Sequence, residues 1–120
     1  MQPTPSSGSV KIISLQREPL LARLRASVAR LRAEHPEVIE VRLFGSLARG
    51  DQTGTSDVDL LILLDHATEA DPLRRIRTFL SYFDLDRGVD LLVYTRAELD
   101  RRLAQNDRFV KHIWETSLVL

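Results

Sequence analysis

Leu20, Leu24, Val28 and Leu31 recur at helical spacing between about Glu18 and Ala33, with Arg23, Arg25, Arg30 and Arg32 off that stripe. The pattern predicts an amphipathic helix lying on a core, its arginines solvated. His35-Pro36 ends it, because the residue before a proline is pushed out of the helical region. Val38 to Phe44 then reads as a strand. Asp57 to Leu64 reads as a second one, too apolar on both faces at its far end to be an exposed edge. Asp71-Pro72 supplies N-cap and first-turn chemistry for another helix, with Leu73, Ile76, Leu80 and Phe83 as its apolar stripe and Arg74, Arg75 and Arg77 beside it. Val89 to Tyr94 is a third strand. Thr95-Arg96-Ala97-Glu98 has the spacing of a capping box and starts a helix through about Ala104. A last helix from about Asp107 carries Phe109, Val110, Ile113 and Trp114 on one side. Upstream, residues 1–9 are polar and rich in Pro and Ser, as in a disordered tail, and Val10 to Leu15 fits either a short strand or a lead-in. The expected organisation is a tail over residues 1–12 and one domain over residues 13–120.

The chain has 120 residues, 43% of them hydrophobic, which allows one core and leaves no room for a second domain. A formal charge of zero provides no bulk basic field, so direct nucleic-acid binding is not expected. Cysteine is absent, which excludes disulfides and thiolate metal sites, and no long apolar run suggests a leader or a membrane span. A cytoplasmic protein is the simplest reading. Lysine occurs only at Lys11 and Lys111, so phosphate contacts would fall to arginine forks or backbone amides.

The candidate chemistry lies between the first two strands. Leu43-Phe44-Gly45-Ser46-Leu47-Ala48-Arg49-Gly50-Asp51 carries a strand into a Gly-Ser turn and a short helix, whose backbone N–H groups and hydroxyl suit an anion such as phosphate. Thr55-Ser56-Asp57-Val58-Asp59 follows. Residues i and i+2 of a strand share a face, so Asp57 and Asp59 place two carboxylates side by side, and these repel unless a cation lies between them. Hard oxygen ligands favour Mg²⁺, which takes its remaining ligands from water and substrate phosphates. Turn and carboxylates therefore read as one site for a metal–triphosphate.

Other motifs fail on particular residues. A Walker A loop would need Lys and Ser/Thr after Gly50, where the chain has Asp51 and Gln52. An EF-hand from Asp51 would have Gly54 two positions early and no bidentate Glu. Ser46 is outside a Gly-x-Ser-x-Gly elbow. His35, His66 and His112 have no metal-ligand spacing, and Trp114 reads as a core or interface anchor.

Two-metal phosphoryl chemistry commonly needs a third acid from a neighbouring strand. Asp84 and Asp86 sit near a Gly88 turn and read as loop solvation. Asp90 opens a buried strand, where a carboxylate is costly without a cation, and is assigned to the site. Pairing of Asp90 with an arginine such as Arg42 is the alternative.

Gly-Ser, short helix, Ser-Asp-x-Asp-Leu, helix, and a strand with a third Asp resembles the nucleotidyltransferase superfamily that includes DNA polymerase beta and the aminoglycoside nucleotidyltransferases. Leu43 to Ile62 looks like the signature of its smallest branch, the minimal nucleotidyltransferase (MNT) proteins, and the resemblance extends over about residues 18–120. Gly45, Ser46, Arg49, Gly50, Asp51, Ser56, Asp57 and Asp59 match the family pattern, and Asp90 matches its third acid. The resemblance implies an α/β (α+β) fold with a small mixed sheet flanked by helices, and transfer of AMP from ATP to a hydroxyl. It implies catalysis and metal binding by Asp57, Asp59 and Asp90 with two Mg²⁺ ions, and nucleotide binding by Gly45, Ser46, Arg49 and Ser56. MNT proteins commonly act as antitoxins of helical HEPN-domain ribonuclease toxins, so the implied partner is such a toxin, adenylylated on tyrosine. A contact-only antitoxin and a small-molecule nucleotidyltransferase are the rival readings, and a homo- or hetero-oligomer is compatible with each.

Overall fold

The computed structural model describes residues 5–50 and 57–120, with side chains from Arg17 onward. Helix α1 (Pro5–Glu34) leads into β1 (Val38–Phe44), α2 (Gly45–Arg49), β2 (Val58–Leu64), α3 (Pro72–Leu80), β3 (Val89–Thr95), α4 (Arg96–Ala104), α5 (Arg108–Thr116) and the short β4 (Leu118–Val119). The strands form one mixed sheet in the order β3-β2-β1-β4. β1 runs antiparallel to β2 and β4, while β2 and β3 are parallel and joined through α3, as a parallel pair requires.

Side chains paired across a sheet share a face, so the registers define three rows. Phe44, Asp59 and Asp90 make the first row, Arg42, Leu61 and Leu92 the second, and Glu40, Leu63 and Tyr94 the third. The opposite face holds Val41, Leu43, Leu60, Ile62, Leu91 and Val93, which bury against Leu20, Leu24, Val28 and Leu31 of α1 and Phe79 and Phe83. On the face of the three rows, α4 and α5 cover the third with Leu99 and Val110 against Leu63, Tyr94 and Trp114. Every β2 residue except Asp59 is buried, as expected for a strand inside a sheet.

The elements depart from expectation in four places. Helix α1 continues upstream to Pro5, through residues 10–15 and part of the stretch expected as a tail. A helix already packed through Leu20 to Leu31 extends at little cost, since each added residue gains a bond, and Pro5 falls in the first turn where proline is tolerated. Pro19 lies inside this helix and has no N–H for the carbonyl four residues earlier. In α3 the buried face is rotated from the expected stripe: Leu73 is 68% and Leu80 39% exposed, whereas Phe79 and Arg75 are buried. Arg75 can turn inward because Glu98 meets it at 2.6 Å and the Glu69 carbonyl accepts from its Nε at 2.7 Å. In α5, Val110 and Ile113 fill the core side as expected and Trp114 packs beside them, but Phe109 is 60% exposed. Finally, Leu118 and Val119 pair with β1, a two-residue edge too short to leave a sequence pattern. No helix among the described residues is long and apolar enough to cross a membrane.

Candidate active site

β1 ends at Phe44, and the chain turns at Gly45 with φ of +76°, a conformation that L side chains rarely adopt. The same glycine lets the backbone approach β2: a Cβ at Gly45 would sit 2.2 Å from Asp59 Oδ2. Phe44 pairs with Asp59 in the antiparallel register, so the turn is held directly beside that carboxylate. Helix α2 follows for one and a half turns. Leu47, 1% exposed, anchors it in the core, and Gly50 closes it with φ of +82° and an N–H to the Ser46 carbonyl.

Asp59 and Asp90 are register partners on β2 and β3, and Asp90 is exposed there and not buried as its strand position suggested, because it stands at the open end of the sheet. Burial, then the negative charges of Asp90 and Asp57, push the Asp59 carboxyl above its ordinary range, while Arg49 pulls it down. Asp57 stands just before β2, exposed, with its carboxylate against Gly88, where a Cβ would come within 2.5 Å of Oδ1. Gly88 itself is fixed by accepting a bond from the Val58 N–H at 2.8 Å.

The structure thus brings Gly45, Arg49, Asp57, Asp59 and Asp90 to one end of the sheet, with Ser46 on the first turn of α2. Ser56 lies outside the described residues. Asp84 and Asp86 are exposed in the connection before β3. Arg42 does not take up Asp90: its partners are Glu40, Ser117 Oγ at 3.1 Å and the ring of Trp114. Two residues near the site carried no sequence signal. Gly88 backs Asp57, and Arg17 of α1 donates from Nε to the Leu47 carbonyl at 3.1 Å and from Nη2 to the Ala48 carbonyl at 3.5 Å. A cleft of about 420 Å³ lies at the other end of β3, lined by Tyr94, Arg75, Glu98, Arg101 and Arg102 among others, and contains none of these acids.

Among the described residues, no three acidic or histidine side chains surround a single point as a closed metal cage would. The acids nonetheless suit a hard cation. They are oxygen donors, the charges of Asp90 and Asp57 raise the proton affinity of Asp59, and the lack of a side chain at Gly45 keeps the Asp59 carboxylate unobstructed. Few protein ligands is the pattern of Mg²⁺ that completes its shell with substrate phosphates.

A mixed sheet carrying acids in register on adjacent strands beside a Gly-Ser turn defines a phosphoryl- or nucleotidyl-transfer domain. The nucleotidyltransferase domain family model matches residues 23–120, and the chain belongs to that family. Its fold is also similar to the crystal structure of a Sulfolobus solfataricus protein described as a nucleotidyltransferase, with a TM-score of 0.64 and 28% identity over 74% of this chain and 78% of that one. No protein of curated function matches the sequence.

Proposed function

We propose that the chain is an Mg²⁺-dependent nucleotidyltransferase that moves AMP from ATP onto a hydroxyl, the acceptor being a tyrosine of a HEPN-domain toxin that it neutralises in the cytoplasm. The observation that carries the transfer reading is the Asp59–Asp90 pair with Asp57 beside it and the Gly45 turn against it. The acceptor and partner rest on the resemblance to MNT proteins.

In this mechanism Asp57, Asp59 and Asp90 would hold the metal, which when bound offsets phosphate charge and lowers the barrier to attack. The Gly45 backbone and the Ser46 hydroxyl hold the β- and γ-phosphates. Ser56 completes the nucleotide contacts, and Arg49 offsets charge. Asp90 orients the acceptor hydroxyl and takes its proton. The hydroxyl oxygen attacks the α-phosphorus in line, the bond to the β-phosphate oxygen breaks, and pyrophosphate leaves. The chain contributes mainly position and charge neutralisation.

The test is incubation of the purified chain with Mg²⁺ and each labelled nucleoside triphosphate against the product of the adjacent gene, followed by intact mass. Gain of one or more nucleotides, lost in Asp57→Ala, is the expected result. A stable complex without mass gain would replace the enzyme with a contact-only antitoxin. No complex and no gain would direct the search to small-molecule acceptors.

A further inference from the structure

We infer that Arg17 is a positioning residue for the nucleotide site, acting through α2. The inference rests on the reading of α2 as the triphosphate-holding element. α2 is only five residues long, well below the length at which a helix holds itself in water, so its position must come from tertiary contacts. On its inner side Leu47 provides one. At its end, Leu47 and Ala48 offer two of the carbonyls that a terminating helix leaves for outside donors, and the Arg17 guanidinium donates to both. A cation there also suits the negative end of the helix.

The consequence reaches the site because α2 starts at Gly45, whose backbone lies against the Asp59 carboxylate with no room for a side chain. A shift of α2 by a fraction of an ångström changes that contact and moves Ser46 with it. Arg17 also lies two residues before Pro19, so one side chain fastens α2 to α1 within the turn in which α1 lacks a backbone bond. Arg17 touches no reacting atom. Its effect is to raise the fraction of molecules in which α2 is seated, and ligand affinity scales with that fraction.

The experiment compares wild type, Arg17→Met, which keeps an apolar stem, and Arg17→Lys, which restores a cation without the fork. Amide hydrogen exchange is read at residues 46–50 and in β1 and β2, and the Kd of α,β-methylene-ATP with Mg²⁺ is measured by calorimetry. In Arg17→Met, exchange in α2 rises about tenfold while the strands keep their rates, and the Kd rises by a similar factor, as expected for loss of a charge-assisted bond. Arg17→Lys falls between. Unchanged exchange in α2, or equal acceleration in the strands, overturns the inference. Faster α2 exchange with an unchanged Kd overturns Arg17 as a positioning residue for nucleotide. A wild-type chain that does not bind the analogue removes the reading of α2 itself, an outcome distinct from an effect of Arg17.

Discussion

Asp59 and Asp90 stand opposite each other on the parallel strands β2 and β3, although both are acids. The core side of β2 forces this arrangement. Val58 and Leu60 are wholly buried, so the residue between them must face the other way, toward its register partner. Folding therefore brings together charges that repel, a stored cost that a cation would relieve.

That cost makes Asp59→Asn stabilising in chelator. Removing one charge from the cluster should raise Tm by several degrees, on the order of 1 kcal/mol, while abolishing nucleotide transfer. Thermal denaturation with and without Mg²⁺ plus nucleotide checks it, since wild type should gain stability from the pair and the variant should not. A lower Tm for Asp59→Asn in chelator would mean that the carboxylate is held by favourable contacts.

Gly45→Ala should fail for two reasons at one position. The backbone is left-handed there, which costs an alanine about 1–2 kcal/mol, and the new Cβ would lie 2.2 Å from Asp59 Oδ2. Transfer should fall at least about 100-fold, the scale on which a displacement of roughly 1 Å acts. Circular dichroism should still report a folded chain, and near-normal activity would exclude the Gly45–Asp59 contact from the site.

The sequence made the site legible where local chemistry and strand periodicity point the same way. Gly45, Asp57, Asp59 and Asp90 were each readable because a turn residue or a carboxylate stands at the edge of an apolar run. The capping box of α4 was readable for the same reason, and both of its bonds form. The rotated face of α3 was not, because burial of Arg75 depends on Glu69 and Glu98, which approach only in the folded chain. Arg17 was hidden likewise, as its acceptors are carbonyls thirty or so positions away. Backbone acceptors leave no trace in residue type.

The Arg75–Glu98 pair should set part of the acid limb of stability. Hydrogen bonding to Arg75 holds the Glu98 carboxyl below its usual 4.5, despite some burial, with further help from the Thr95 N–H. A carboxylate with a depressed folded value adds stability that is complete above the unfolded value and lost as pH falls through the folded one. Glu98→Gln should therefore cost stability at pH 7 and progressively less below about pH 4.5. At neutral pH the loss should be about 2 kcal/mol, less than the ~3–5 for a wholly buried pair because Glu98 remains 34% exposed. Urea unfolding across pH 3 to 7 measures the difference, and a pH-independent gap would assign it to packing.

Arg42 provides the last test, because it decides whether Asp90 is free for the site or tied into the fold. Its guanidinium lies 3.6 Å from the Trp114 ring centroid and donates to Ser117 Oγ and the Trp114 carbonyl, joining β1 to the end of α5. Arg42→Met should lose the cation–π contact and these bonds together, about 2 kcal/mol, and Arg42→Lys should recover only part, since an ammonium cannot stack and fork at once. If Arg42 served Asp90, the two substitutions would be coupled. The geometry predicts instead that Arg42→Met and Asp90→Asn add to within about 0.5 kcal/mol in a double-mutant cycle of unfolding free energies. A coupling of 1 kcal/mol or more would make Asp90 a structural ion-pair partner and leave Asp57 and Asp59, among the described residues, as the acids of the site.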